Sequence, residues 1–160
     1  MRVWTEITSR GQNILISKSD NSYENEIMEE QDREKINEKM GIEVPQLIYK
    51  PKEMEYMTYE MDQKLGYSLV QYAYEDNFLW IYMSTKNADV SEIIVVDGEV
   101  VSEYTLYIDY LAETVTVEKL DEPEKGEIYK VSFIYENTYY SFIGKIKRTE
   151  FDKVLEKIIF

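Results

Sequence analysis

The side chains able to do chemistry in this sequence are carboxylates and phenols. There are 32 Asp and Glu and 15 Tyr, with no His and no Cys. Without cysteine there are no disulfides, thiolate nucleophiles or Cys-ligated zinc and iron–sulfur centres. Without histidine there is no Ser-His-Asp or Cys-His catalysis, no His-ligated metal and no ordinary proton shuttle near neutral pH. What remains is paired-carboxylate chemistry. A glycosidase places two carboxyls about 5–10 Å apart across a cleft, one of them with a raised pKa. Glu29-Glu30, Glu122 with Glu124, and Asp109 with Glu113 have spacings to consider, and none lies in an apolar setting. In so acidic a chain such pairs arise by chance, so a carboxylate-dependent hydrolase ranks as the third reading. Calcium needs clustered oxygens around a turn glycine. Ser19-Asp20-Asn21-Ser22 lacks that spacing, and Asp97-Gly98-Glu99 reads as a hairpin turn. The glycines at 11, 41, 66, 98, 126 and 144 are too scattered for a phosphate loop. The expectation is therefore no catalytic residue, no cofactor and no metal ligand.

Binding is the chemistry left to the tyrosines. A tyrosine offers a large apolar body and a hydroxyl that tolerates water, which suits interfaces. In the stretch 78–83, Phe78, Trp80 and Tyr82 point one way and Leu79, Ile81 and Met83 the other. Both faces of that strand are apolar, as in a central strand covered on both sides. One helix can cover only one face. Tyr72, Tyr74, Phe78, Trp80 and Tyr82 are the aromatic residues least easily covered, and so form the candidate interaction surface. Its partner is expected to be a peptide, a cell-wall fragment or a protein. The alternative is that these rings merely decorate a curved sheet.

The elements that must hold such a surface are mostly strands. Val3 to Thr8 and Asn13 to Ser17 alternate like a hairpin around Arg10-Gly11-Gln12. The segment from Ser22 to Met40 has no Gly or Pro, and it reads as a surface helix with Ser22 as N-cap and Gly41 at C′. Its apolar stripe of Ile27, Gln31, Ile36 and Met40 is thin, and a charged linker is the alternative. Pro45 and Pro51 make the next stretch extended and irregular or place it at a sheet edge. Strands follow at Glu55 to Met61, Tyr67 to Glu75, Phe78 to Ser84, Ser91 to Val96, Tyr104 to Tyr110, Thr114 to Leu120, Ile128 to Tyr135 and Thr138 to Ile143. In the seventh of these, Tyr129, Val131, Phe133 and Tyr135 form one dry face. Glu75-Asp76-Asn77, Asp97-Gly98 and Glu136-Asn137 supply turns. The connections are too short for crossover helices, so the sheet is expected to be antiparallel. The chain ends in a helix carrying Phe151, Val154, Leu155 and Ile158 on one face, with Thr149 at its N-cap and Asp152 completing a capping box.

The fold class expected is α+β: a curved antiparallel meander of about six to eight strands packed against a C-terminal helix, with an N-terminal surface helix. The 160 residues suit a single domain, with a hairpin and helix over 1–40 and the main sheet and closing helix over 41–160. A net charge of −14 argues against nucleic acid and against adhesion to an anionic membrane through basic residues. No apolar stretch reaches the roughly 20 residues of a membrane span, and Met1-Arg2-Val3-Trp4-Thr5-Glu6, which alternates like a strand, is expected to belong to the fold instead of to a signal peptide.

Three stretches carry a resemblance. They are Gly41-Ile42-Glu43-Val44-Pro45-Gln46-Leu47-Ile48-Tyr49-Lys50-Pro51-Lys52-Glu53-Met54, Gly66-Tyr67-Ser68-Leu69-Val70-Gln71-Tyr72-Ala73-Tyr74, and Tyr139-Tyr140-Ser141-Phe142-Ile143-Gly144 followed by the helix from Thr149. Their order resembles the bacterial domain of unknown function family 4367, over residues 41 to 160. The resemblance implies an extracytoplasmic part of a membrane-anchored or lipoprotein-type protein, with the anchor upstream of the sequence given. Some such proteins resemble anti-sigma-type regulators or lipid-carrier folds. No catalytic residues come with the resemblance. The function expected is a non-enzymatic extracytoplasmic sensing or binding module. The runner-up is a carrier of an apolar small molecule in a cavity between sheet and helix, which requires a mostly apolar pocket of at least ~300 Å³.

Overall fold

The computed structural model describes residues 18–86, 99–108, 111–122 and 126–160. The expected hairpin over 3–17 and the expected strand over 91–96, with its Asp97-Gly98 turn, lie outside the described residues. The described elements are α1 (Lys18–Met40), β1 (Gln46–Leu47), β2 (Met54–Asp62), β3 (Tyr67–Tyr74), β4 (Asn77–Ser84), β5 (Glu99–Ile108), β6 (Leu111–Glu122), β7 (Gly126–Tyr135), β8 (Thr138–Gly144), α2 (Arg148–Glu156) and β9 (Ile158–Ile159). The architecture is α+β. Seven antiparallel strands form one sheet in the order β2-β3-β4-β8-β7-β6-β5, and β1 pairs with β9 in a small second sheet.

The large sheet is two meanders rather than one. β2, β3 and β4 are consecutive neighbours joined by turns, and β5, β6, β7 and β8 are likewise consecutive neighbours, each pair antiparallel. The meanders meet where β8 pairs with β4, so that Ile81 lies opposite Phe142 and Trp80 opposite Ile143. The chain reverses between β7 and β8 at Glu136 and Asn137, both at positive φ, as a two-residue hairpin requires. Glu75, between β3 and β4, is also at positive φ.

Register divides the side chains between two faces. The inner face carries Val70, Tyr72, Leu79, Ile81, Met83, Val131, Phe133, Tyr140 and Phe142, all buried. The alternation expected in β7 is observed: Tyr129, Val131, Phe133 and Tyr135 are buried, whereas Ile134 is 56% exposed. α2 lays Phe151, Val154 and Leu155 against this face. Phe151 packs near Tyr129, with ring centroids 5.9 Å apart.

Gly144 leaves no room for a side chain between its neighbour on β4 and α2. A Cβ there would lie 2.9 Å from Leu79 Cδ1 and 3.4 Å from Phe151 Cδ1. Leu79 is fully buried and has little room to yield. Gly144→Ala is expected to lower stability by about 1–3 kcal/mol through overpacking, read as a lower midpoint in denaturant. An unchanged midpoint would show that Leu79 can yield at this contact.

Three local expectations are corrected. α1 begins at Lys18, so Ser22 lies inside the helix and is not its N-cap. Lys147 occupies the N-cap of α2 without a side-chain bond, and Thr149 is already helical. Asp152 accepts from Arg148 Nε at 3.2 Å instead of closing a capping box. Finally, Ile158 is buried, but not on the helix. α2 stops at Glu156, and Ile158 pairs with Leu47 in the small sheet. Gly41 does take the C′ role expected of it, with φ +66° and its N–H donating to the Asn37 carbonyl at 2.8 Å.

Candidate functional site

The five candidate aromatic residues do not share a face. The β3–β4 register puts Tyr72 opposite Leu79 and Tyr74 opposite Asn77. Both tyrosines therefore point to the inner face and are buried. Phe78, Trp80 and Tyr82 point outward. Phe78 and Trp80 pack with centroids 4.5 Å apart, and Tyr82 stacks on Tyr67 at 5.7 Å. Of the five only Trp80 is classed as exposed, at 38%; Tyr82 is buried on the outer face.

Polar chemistry concentrates instead beneath α1. The stripe that this helix turns to the sheet is Glu29, Asp32, Ile36 and Met40, so the expected stripe through Ile27 and Gln31 is rotated away from the contact. Ile27 and Gln31 are exposed, while Glu29 and Asp32 are only 4% and 8% exposed. A buried carboxylate must find donors, because its desolvation is otherwise costly. Glu29 Oε1 accepts from Lys50 Nζ at 2.7 Å, and its Oε2 accepts from the Tyr72 hydroxyl at 2.5 Å. Asp32 Oδ2 accepts from the Tyr56 hydroxyl at 2.7 Å, and its Oδ1 from Lys35 Nζ at 3.4 Å. The Tyr56 and Tyr72 rings meet edge to face, 5.6 Å apart. Burial, then the Glu29 charge and its hydrogen bond, hold the Tyr72 phenol well above its ordinary pKa. Burial and the Asp32 hydrogen bond do the same for Tyr56. All four carboxylate oxygens are thus occupied by donors from within the chain. Arg33 stands beside this layer, and its buried Nε–H has no hydrogen-bond partner.

On its other side α1 walls an open groove of about 320 Å³. Glu30, Glu34 and Glu38 recur every four residues and so stack along one edge of the helix. Glu43 and Gln46 face them from the segment after the helix, and Val44 and the Phe160 ring add an apolar floor. Phe160 is held there by Tyr135 and Tyr140, at 4.5 and 5.1 Å between ring centroids. Charged and polar groups dominate this lining, which does not suit an apolar small molecule. Sequence reasoning missed the groove. The four-residue spacing of three glutamates was the readable signal, whereas Phe160 comes from the far end of the sequence.

Of the carboxylate pairs considered above, Glu29 and Glu30 diverge, one buried under the helix and one on the groove. The pairs of Glu122 with Glu124 and Asp109 with Glu113 lie outside the described side chains. Among the described residues no group of three or more carboxylates is placed to hold a metal ion. Among the same residues no helix is long and apolar enough to cross a membrane. No protein-family model, curated protein or solved structure matches this chain.

Proposed function

We propose that the chain is a non-enzymatic sensing or binding module, the extracytoplasmic part of a membrane-anchored bacterial protein, and that its partner is a basic peptide segment. The observation that carries this reading is the groove beside α1. Its carboxylates, Glu30, Glu34, Glu38 and Glu43, offer acceptors to Lys or Arg side chains. Val44 and Phe160 offer a seat for an apolar side chain between them. Arg33 and Gln46 supply N–H donors for peptide carbonyls. The net charge of −14 adds long-range attraction for such a partner and repels anionic polymers. The extracytoplasmic placement draws its support from the resemblance of residues 41 to 160.

The test is anisotropy of a short fluorescent peptide of alternating Lys and Leu, titrated with the protein. Glu34→Lys with Glu38→Lys reverses two charges inside the groove. Glu55→Lys with Glu156→Lys makes the same charge change at exposed positions outside the groove. The groove variant is expected to bind about tenfold more weakly than the distant variant, roughly 1.4 kcal/mol. Equal weakening by both pairs would reduce the effect to general charge attraction and overturn the reading, as would absence of binding by the wild type.

A further inference from the structure

We infer that α1 is a releasable strap, which lifts from the inner face as one unit while the sheet and α2 remain folded. The two helices are attached by different physics. α2 has nine residues and buries Phe151, Val154 and Leu155 completely. Apolar burial of that kind stabilises by about 1.5–3 kcal/mol per side chain. α1 has 23 residues, and Ile36 is the one described apolar side chain that it buries completely. Met40 adds a half-buried contact with the core, and the other described contacts of α1 are polar. Lys50 and Tyr72 bind Glu29, Tyr56 binds Asp32, Asn37 Nδ2 donates to the Ile42 carbonyl at 3.1 Å, and Gln63 Nε2 donates to the Lys39 carbonyl at 2.9 Å. Buried ion pairs and carboxylate hydrogen bonds largely cancel against the hydration that they replace. When α1 lifts, Glu29, Asp32 and Lys50 all regain water, so the opening costs little in electrostatics. Of the two described helices, the one with the weaker apolar attachment is expected to open below the global unfolding free energy.

The chain also has a pivot and an anchor in the right places. Gly41, at the end of α1, is in the left-handed region with φ +66°, and nothing lies within 4 Å of where its Cβ would be. That backbone is free to swing without a side-chain clash. Immediately beyond it, Ile42, Val44 and Leu47 are buried in the core and hold the following segment to the sheet. Lifting α1 uncovers the edge-to-face pair of Tyr56 and Tyr72 and carries away the Glu30–Glu38 wall of the groove. The strap does not depend on which partner binds, because every contact in the argument lies within the chain.

Native-state hydrogen exchange on the intact chain tests this. Amides of residues 29–40 are expected to exchange through an opening at least ~100-fold more populated than global unfolding, while amides of β4, β8 and α2 exchange only with the whole fold. Glu29→Gln combined with Asp32→Asn is expected to raise exchange in α1 about tenfold further, leaving α2 protection unchanged relative to global stability. Protection of α1 equal to that of β8 in the wild type would overturn the strap. So would a double variant that weakens α1, α2 and β8 in equal measure.

Discussion

Phe142→Ala should be among the most damaging single substitutions in the chain, costing about 3–5 kcal/mol. Phe142 is fully buried in β8, the strand that joins the two meanders. It lies opposite Ile81 on one side and Val131 on the other, both fully or almost fully buried. Its ring stacks with Phe133, centroids 6.1 Å apart. The strands around it are fixed by their own hydrogen-bond ladders, so the walls of the resulting cavity cannot close in. A domain of this size is stable by about 5–15 kcal/mol, so the loss takes a large share of the total. Equilibrium denaturation measures it as a fall in midpoint at constant slope. Ile134→Ala, on the outward face of β7 and half exposed, serves as the control and should stay within about 0.5 kcal/mol of wild type. A loss below about 1 kcal/mol at Phe142 would mean that the join between the meanders is loosely packed.

How far the sequence reveals this arrangement depends on the kind of contact. The dry face of β7 was legible because Lys130 and Ser132 interrupt the apolar residues at every second position. The stripe of α2 was legible because Phe151, Val154 and Leu155 are apolar and three or four residues apart. The pairing of β4 with β8 was not, since the two are far apart in sequence and no local pattern records which strands become neighbours. The split of the aromatic candidates has the same origin. Alternation within β3 and within β4 is visible separately, but which parity of one shares a face with which parity of the other is set by the turn. With Tyr74 opposite Asn77, Tyr72 falls opposite Leu79 and away from Trp80. α1 hid its inner face for a different reason. Hydrophobic periodicity detects helices attached by apolar side chains, whereas this one buries Glu29 and Asp32, whose donors Lys50, Tyr56 and Tyr72 arrive from other elements.

Alkaline solution should unfold the protein through these same buried phenols. An exposed tyrosine ionises near pH 10. In the folded chain Tyr72, Tyr56 and Tyr140 are held above that value, chiefly by burial, and Tyr129 is pushed up to about 12 by burial and its bond to Glu127. Below about pH 10 both folded and unfolded chains keep these protons, and the contribution to stability is fully present. Above it the unfolded chain loses protons that the folded chain retains, so stability falls as pH rises. Each such tyrosine adds about 1.4 kcal/mol per pH unit to the slope until its own folded pKa is reached, which for Tyr129 is about pH 12. Denaturation midpoints should therefore be level from about pH 8 to 10 and drop steeply beyond. Ultraviolet absorbance of phenolate should rise first near pH 10 from exposed tyrosines, and a second time, from the buried phenols, in step with loss of structure. Tyr140, on β8, donates its hydroxyl at 2.5 Å to the carbonyl of Glu43, in the anchored segment beyond the pivot. Tyr140→Phe should remove one tyrosine's share of the slope in global unfolding. Tyr56 and Tyr72 lie under α1, so their phenolates should form when the strap lifts, at lower pH than that of Tyr140. A midpoint that stays level to about pH 11 would show that these hydroxyls are reached by water in the folded chain.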